Sequence, residues 1–301
     1  MIFLNCRDQR PRLRPVLHVA LVLLAFSWLL HSFHRYNSTE NDVSPLSRRK
    51  VGKVMAIYGN HTIYKRTMAT HEKQSRRLGY PLFVLESPIL DSYWNKYAII
   101  LSVMLQELAK PADKRLEWLF WFDADTVIMN PYIPLETFLP PPQLSDIHLL
   151  LTKDWNGINN GVFPIRVHRW SVEFLTAAIS YPVIHPDVYL HWPDQSAMSN
   201  LIQDNDYFSR SIIHCPLRWF NAYMRSPDGE ELNPDSPPEY QVHPGDLLVH
   251  FPGTPADHLD QTLEPYLAIA EAHRAEWELP LEQTEYIEQT QEFWRPKLSH
   301  P

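Results

Sequence analysis

The chain has 301 residues, of which 45% are apolar and 21% are charged, a composition typical of a globular protein with a hydrophobic core. Its formal net charge of -8 predicts no nucleic-acid partner, because nucleic-acid binding relies on basic side chains that neutralise phosphates. The two cysteines, Cys6 and Cys215, are too few for a disulfide framework.

An apolar segment near the N-terminus has the features of a membrane anchor. The stretch Val16–Phe33 carries no formal charge, and as a helix it would span roughly 27 Å. Basic residues before it favour a cytoplasmic N-terminus; they are Arg7, Arg10, Arg12 and Arg14. A cleaved signal peptide is the alternative, although no small-x-small cleavage site follows Leu30. The pattern predicts a cytoplasmic tail at residues 1–15 and an uncleaved transmembrane signal anchor at residues 16–34.

Two glycosylation sequons follow the predicted anchor. Asn37-Ser38-Thr39 lies in a polar stretch, and Asn60-His61-Thr62 lies farther along the chain. Glycans at Asn37 and Asn60 require that the chain after the anchor enters the secretory lumen. The sequence therefore predicts a short luminal stem at residues 35–50 and a luminal folded domain at residues 51–301.

Apolar runs and helical segments alternate in the first half of the predicted folded domain. The apolar runs predict strands at Lys53–Tyr58, Pro81–Leu85 and Leu116–Phe122, and the third run is apolar enough for a central strand covered on both faces. Between the strands, the spacing predicts helices at Thr67–Leu78 and Asn95–Ala109. Strands that alternate with helices predict an α/β fold with a largely parallel sheet.

Two carboxylates directly follow the third predicted strand. Asp123 and Asp125 are two residues apart, and residues with this spacing on a strand point to the same side. In open α/β sheets, ligands bind outside the carboxyl ends of the strands. A hard divalent cation such as Mg²⁺ or Mn²⁺ would relieve the repulsion between the two groups and clamp the diphosphate of a nucleotide. The alternative is that both side chains only cap the turn before Pro131.

Five segments occur in an order that is typical of one enzyme family. They are Trp94–Lys96, Phe122–Glu136, Asp154–Arg166, Pro193–Ser196 and Val249–Gly253. In this order they resemble the lysine-containing helix start, the DxD segment, the asparagine-glycine-phenylalanine segment, the DQ motif and the histidine-phenylalanine-x-glycine motif of glycosyltransferase family 34. That family includes fungal α-1,2-galactosyltransferases, fungal α-1,6-mannosyltransferases and plant xyloglucan xylosyltransferases.

The resemblance implies the A-type glycosyltransferase fold, a single Rossmann-like domain with a mixed, mostly parallel sheet. It also implies retaining transfer of a hexose from UDP-galactose or GDP-mannose to a glycan acceptor, with Mn²⁺ or Mg²⁺ as the cofactor; we expect a mannose-containing acceptor. Together with the predicted anchor, it implies a single-pass type II protein of the Golgi membrane. The catalytic domain would be luminal, alone or in a glycosyltransferase complex.

The resemblance assigns the metal ligands and two donor contacts. Asp123, Asp125 and His250 would hold the metal, although a histidine at the end of a short apolar run is otherwise usually structural. Gly253 would let the backbone approach the diphosphate closely. Lys96 would lie near the donor phosphates, and the alternative for this lysine is a solvated position at the start of a helix.

The remaining implied site residues would surround the reacting sugars. Asn159, Asn160 and Gly161 would line the donor and acceptor pocket, although Asn-Gly also forms tight turns readily. Asp194 and Gln195 would face the reacting sugar, where Asp194 would stabilise positive charge rather than act as a nucleophile. The alternative for Asp194 is a position in the first turn of a helix that begins at the preceding proline.

One departure from the family pattern leaves other functions open. Thr254–Asp257 stand where family members often have a lysine. The alternative function is therefore a catalytically weak or inactive relative that binds glycans or serves as a complex subunit. A metal-dependent phosphoester hydrolase is a further alternative, but such enzymes usually need a second cluster of Asp and His ligands.

Overall fold

A computed structural model describes residues 50–59 and 61–299 of the protein. Within these ranges, no helix combines the length and the apolar character needed to cross a bilayer. The predicted tail, the predicted anchor, nearly all of the predicted stem and both predicted glycosylation sites, Asn37 and Asn60, lie outside the described residues.

Nine strands form two sheets in the described part of the chain. In chain order they are β1 (Val51–Ala56), β2 (Leu82–Leu85), β3 (Trp118–Phe122), β4 (Thr126–Ile128), β5 (Leu149–Asp154), β6 (Gly157–Asn159), β7 (Val162–Arg166), β8 (Ile212–Cys215) and β9 (Leu248–His250). The main sheet has the order β2-β1-β3-β7-β5-β6, with β8 also paired to β5, and β4 pairs with β9 separately. The three strands predicted from apolar runs are therefore present: β1 begins and ends two residues earlier than predicted, and β2 and β3 are slightly shorter than predicted.

The main sheet is mixed, but it is not mostly parallel as predicted. Strand β1 runs parallel to β2 and β3, and β5 runs parallel to β8. Strand β7 is antiparallel to β3 and β5, and β6 is antiparallel to β5. Parallel neighbours need a crossover of about a dozen residues, whereas only Trp155 and Asn156 separate β5 from β6. The chain therefore turns back at Trp155, and β6 and β7 both run against β5.

Eight helices accompany the strands in the described ranges. They are α1 (Thr62–Leu78), α2 (Asn95–Leu108), α3 (Arg169–Ile184), α4 (Pro193–Asp204), α5 (Asp206–Ser209), α6 (Leu217–Phe220), α7 (Leu259–Glu271) and α8 (Tyr286–Ser299). The helix predicted at Asn95–Ala109 is confirmed as α2. The helix predicted to begin at Thr67 begins at Thr62. Its N-cap residue His61 forms no side-chain capping bond, so no capping residue marked this start in the sequence.

Strand β3 lies in the centre of the core and is buried along its whole length. Trp118, Phe120 and Phe122 belong to one hydrophobic cluster, which also contains buried side chains of α8. Leu119 and Trp121 belong to a second cluster, which contains buried side chains of α2 and α3. Burial on both faces explains why this run lacks the polar alternation of a half-exposed strand.

The predicted metal ligands lie around the turn that connects β3 to β4. Strand β3 ends at Phe122, so Asp123 and Asp125 lie in the turn that follows rather than on the strand itself. Thr126 of β4 pairs with His250, the last residue of β9. The small β4–β9 sheet therefore sets the imidazole beside the two carboxylates.

Candidate metal and donor site

Two carboxylates and one imidazole converge after the carboxyl end of β3. One potential ligand atom from each of Asp123, Asp125 and His250 lies within 4.8 Å of the other two, and we call these residues the triad. The Nε2 atom of His250 is 3.5 Å from Oδ1 of Asp125. The structure thus brings together the three residues that the resemblance assigned to the metal, at a spacing that one cation can bridge.

Hydrogen bonds behind His250 fix the orientation of its ring. Asn221 donates through Nδ2 to Oγ1 of Thr152 at 2.7 Å and to Oδ1 of Asn159 at 2.9 Å. Its Oδ1 atom therefore faces Nδ1 of His250 at 2.7 Å and accepts a hydrogen bond from the N–H group of that nitrogen. The lone pair is then on Nε2, a buried atom without a hydrogen-bond partner among the described residues. An unpartnered, buried nitrogen beside two carboxylates fits a metal ligand.

The charges around the triad favour a divalent cation. Asp123, Asp125 and the neighbouring Asp194 bring three negative charges, whereas Lys96 brings one positive charge. The two uncompensated negative charges match one divalent ion, and carboxylate oxygens suit Mg²⁺ or Mn²⁺. Burial raises the pKa of Asp123; Lys96 opposes that rise, and Asp125 reinforces it. A bound cation would relieve this unfavourable proximity of like charges.

Lys96 is buried and bridges two carboxylates. Its Nζ atom lies 3.1 Å from Oδ1 of Asp123 and 2.9 Å from Oδ2 of Asp194, and it donates to the backbone oxygen of Asn160 at 3.1 Å. Burial lowers the pKa of Lys96, but Asp123 and Asp194 outweigh burial and raise the pKa above its ordinary value, so the side chain is cationic at neutral pH. The solvated position considered for this lysine is therefore wrong.

Asn160 connects Lys96 to the first turn of α4. Its Nδ2 atom donates to Oδ2 of Asp194 at 2.9 Å, and its backbone N–H donates to Oε1 of Gln195 at 3.2 Å. Asp194 does lie in the first turn of α4, but the N-cap residue is Trp192. The carboxylate of Asp194 contacts Lys96 and Asn160 instead, so its partners belong to the site rather than to the helix backbone.

Two positions at the site carry glycine, each for a different structural reason. A Cβ atom on Gly161 would lie 2.1 Å from Cε1 and 2.7 Å from Nε2 of His250, so glycine is needed to leave room for the imidazole. Gly253 has a φ of 71°, a left-handed conformation that favours glycine, and a Cβ atom there would meet nothing within 4 Å. Gly161, predicted only as a pocket residue, therefore shapes the triad itself.

A cavity of about 410 Å³ borders the triad, and we call it the β1 cavity because the end of β1 lines it. Its walls also include Asp123, Asp125, Lys96 and three tyrosines, which are Tyr58, Tyr64 and Tyr93. Burial raises the pKa of Tyr64, and the charges of Asp125 and Asp123 raise it further, so the phenol keeps its proton at neutral pH. Sequence reasoning missed the tyrosines, although the position of Tyr58 at the carboxyl end of a predicted strand was an available signal.

Replacing Asn221 with Ala should weaken Mn²⁺ binding about 10- to 100-fold, because His250 loses the acceptor that fixes its ring. Calorimetric titration with Mn²⁺ measures the change. Asn130 supplies a matched control, since it is a buried asparagine whose Nδ2 bonds the backbone oxygens of Gly245 and Leu279. Asn130→Ala should lower the melting temperature and spare Mn²⁺ affinity; an equal loss of affinity in both variants would show that Asn221 acts only through stability.

Comparison with known proteins finds similarity to glycosyltransferases. Residues 141–257 match the galactosyl transferase GMA12/MNN10 family. The chain is 26% identical over 219 residues to an uncharacterized alpha-1,2-galactosyltransferase of Schizosaccharomyces pombe, with 60% of each chain covered. It is 31% identical over 117 residues to galactomannan galactosyltransferase 1 of Cyamopsis tetragonoloba, with 36% of this chain and 24% of that protein covered. The matches therefore span about three fifths of the first relative and about a quarter of the second.

A solved structure supports the fold. A glycosyltransferase involved in the glycosylation of the major capsid of PBCV-1 superimposes with a TM-score of 0.52 at 19% identity, covering 71% of this chain and 98% of that chain. The glycosyltransferase-like α/β fold with a mixed sheet is thereby confirmed. The family match includes His250 and begins after Asp123 and Asp125. The family match over residues 141–257 and the curated relatives confirm the resemblance to these glycosyltransferases that was read from the sequence.

Proposed function

We propose that the chain is a metal-dependent, retaining glycosyltransferase that moves a hexose, galactose or mannose, from a nucleotide-sugar donor to a mannose-containing glycan. The observation that carries the proposal is the triad, in which the buried Nε2 atom of His250 has no hydrogen-bond partner among the described residues. The triad borders the β1 cavity, whose volume of about 410 Å³ suits a nucleotide-sized ligand. The two relatives are named as galactosyltransferases and a further relative is named as a probable alpha-1,6-mannosyltransferase, so the proposal keeps both hexoses.

The charges of the β1 cavity make the proposed reaction dependent on a metal. Held by Asp123, Asp125 and His250, a Mn²⁺ or Mg²⁺ ion would supply the positive charge that stabilises the departing diphosphate. Lys96 is the one Lys or Arg among the lining residues of this cavity, and it already pairs with Asp123 and Asp194. The side chains alone therefore leave the phosphate charge largely uncompensated.

Asp194 has an electrostatic role in the proposed retaining transfer. The acceptor hydroxyl attacks the anomeric carbon from the face that the diphosphate leaves, and positive charge develops on the sugar meanwhile. Asp194 stabilises that charge through space, because Lys96 is shared between Asp194 and Asp123 and the three groups keep one net negative charge. Asn160 holds the carboxylate of Asp194 at 2.9 Å and so keeps it in position.

Asp194→Asn should lower turnover about 10²- to 10³-fold, the usual effect of removing one well-placed electrostatic group. Nucleotide affinity in Mn²⁺ should change far less than turnover, because Asp194 adds charge near the triad but is not one of its three ligands. Steady-state kinetics and the melting temperature of the same variant separate this role from a structural one. The control is Asp206→Asn, which removes an exposed acid from the first turn of α5. Parent-like turnover in a stable Asp194→Asn variant would exclude the electrostatic role.

Donor turnover by the full chain tests the proposed function. With Mn²⁺, the chain should release nucleoside diphosphate from UDP-galactose or GDP-mannose, and chelation should stop the release. With α-mannotriose as acceptor, the product should gain one hexose in an α-linkage, which nuclear magnetic resonance detects. Absence of release and transfer from both donors would contradict the proposal.

The second candidate function is that of a catalytically weak or inactive relative that binds glycans or acts as a complex subunit. The segment Thr254–Asp257 favours it, because no basic side chain stands where the resemblance predicts a lysine near the diphosphate. The same assay separates the candidates. Metal-dependent nucleotide binding without turnover favours the second candidate, and turnover favours the first.

The proposed location is the Golgi lumen, with the anchor at residues 16–34 and the tail in the cytoplasm. Support comes from the basic residues before the anchor and from the sequons after it. Glycosidase treatment of the expressed chain should increase its mobility through loss of glycans at Asn37 and Asn60. Protease added to intact vesicles should spare the folded domain, and digestion from outside would reverse the proposed topology.

A further inference from the structure

A second cavity, of about 390 Å³, borders the triad at His250. Its walls include Trp155, Tyr223 and side chains of the loop at residues 233–237, and we call it the Trp155 cavity. It shares no lining residue with the β1 cavity, which Asp123 and Asp125 line. The triad therefore lies where the two cavities adjoin, with its carboxylates in one and its imidazole in the other.

Trp155 forms an aromatic wall that is held in place although it faces solvent. The side chain is 65% exposed, which is unusual for a large aromatic group. Its ring stacks on Tyr240 with centroids 5.9 Å apart at 29° and meets Tyr223 edge-on at 5.4 Å and 71°. A fixed, exposed indole of this kind suits the apolar C–H face of a sugar ring.

The hydrogen bonds that orient His250 also hold this aromatic wall. The hydroxyl of Tyr223 donates to the carboxylate of Asp154 and accepts from Nδ2 of Asn159 at 2.8 Å. Asn159 in turn accepts a hydrogen bond from Asn221, whose Oδ1 atom accepts a hydrogen bond from Nδ1 of His250. The wall of the Trp155 cavity is therefore built into the same network as the triad.

The polar lining of the Trp155 cavity suits a neutral ligand rather than an anion. No Lys or Arg is among its lining residues, whereas Asp235, Asn233 and Ser236 are. Within the described ranges, the carboxylate of Asp235 forms no hydrogen bond or ion pair, although its backbone N–H donates to Oδ1 of Asn233 at 2.9 Å. A free carboxylate repels phosphate and accepts hydrogen bonds from hydroxyl groups.

We propose that the Trp155 cavity binds one hexose unit of the acceptor glycan, with the ring against Trp155 and hydroxyl groups donating to Asp235. This inference rests on the proposed function and names the subsite of its second substrate. In the transfer, an acceptor hydroxyl oxygen bonds to the anomeric carbon as the bond from that carbon to the diphosphate oxygen breaks. The hydroxyl proton goes to the departing diphosphate. The contact with His250 sets the acceptor beside that leaving group.

Kinetics of Trp155 variants of the full chain test this subsite. With α-mannotriose as the probe, Trp155→Ala should raise the acceptor KM about tenfold and leave the donor KM unchanged. Trp155→Phe keeps a flat ring and should restore most of the acceptor affinity. Tyr189→Ala is the matched control, because Tyr189 is 83% exposed and lines neither cavity. It should leave both constants unchanged.

Two results would overturn the subsite, and a third measurement separates it from the proposed function. An unchanged acceptor KM in Trp155→Ala, or a raised donor KM instead, contradicts an acceptor site at this cavity. Hydrolysis of the donor by the parent chain, measured with Mn²⁺ and without an acceptor, tests the proposed function independently of the acceptor subsite. If the parent shows no turnover, calorimetric binding of α-mannotriose decides: equal affinity in the parent and Trp155→Ala overturns the subsite, and weaker binding in the variant supports it.

Discussion

Replacing Asp125 with Asn should reduce Mn²⁺-dependent turnover of the sugar donor by at least about a hundredfold. The substitution preserves the size of the side chain and removes one carboxylate charge from the triad, where Oδ1 lies 3.5 Å from Nε2 of His250. The remaining ligands hold a divalent cation weakly, so the residual rate should no longer respond to Mn²⁺. Release of nucleoside diphosphate, measured with Mn²⁺ and with a chelator, gives the metal-dependent rate and the residual rate.

Asp206→Asn is the control for the loss of one negative charge. Asp206 is an exposed acid in the first turn of α5, and it is not part of the triad. This variant should therefore turn over donor at the parent rate. Parent-like, Mn²⁺-dependent turnover in Asp125→Asn, or an equal loss in both variants, would contradict the assignment of Asp125.

Gly161→Ala should abolish measurable metal binding and lower the free energy of unfolding by about 1–3 kcal/mol. The added Cβ atom would lie 2.1 Å from Cε1 of His250, so the imidazole must move away from the carboxylates. The ring also leaves Asn221, its partner at 2.7 Å. Calorimetric titration with Mn²⁺ and chemical denaturation measure the two effects.

Making Gly161→Ala in a chain that also carries His250→Ala shows whether the clash with the imidazole causes the loss of stability. With the imidazole already absent, Gly161→Ala should cost little further stability, because the atoms that the new Cβ meets belong to His250. The two substitutions should therefore be strongly non-additive. Equal destabilisation by Gly161→Ala in both backgrounds would place its effect in the local backbone instead.

The members of the triad could be predicted because each follows an apolar run that ends a strand. Phe122 closes β3 just before Asp123, and His250 is the last residue of β9. Strand ends of this kind are visible in the sequence, and the resemblance supplied the pairing between them. The two acids directly follow β3, as predicted, and the structure adds that they lie in the turn before β4.

Residues that act through long-range contacts could not be predicted. Asn221 lies far along the chain from Thr152 and Asn159, and its role depends on hydrogen bonds formed only after β5 and β6 pair. Nothing in the sequence around Trp155 marks it as part of a cavity wall, because only the fold brings Tyr223 and Tyr240 against its ring. The strand directions beyond β3 were missed for the same reason.

Lys96 illustrates how a correct location can come with an incomplete role. Its position at the helix start was predicted, and α2 does begin at Asn95. Its partners come from three separate segments, at Asp123, Asn160 and Asp194. The sequence pattern indicated a cation near phosphate, whereas the fold shows a cation that already compensates two carboxylates.

Electron paramagnetic resonance of Mn²⁺ added to the full chain tests most directly the claim that three side chains share one cation. The parent chain should bind one Mn²⁺ ion tightly, and each of Asp123→Asn, Asp125→Asn and His250→Ala should lose most of that affinity. The Asn130→Ala control should bind Mn²⁺ like the parent. Parent-like affinity in His250→Ala, or no specific Mn²⁺ binding by the parent, would rule out a cation shared by the triad.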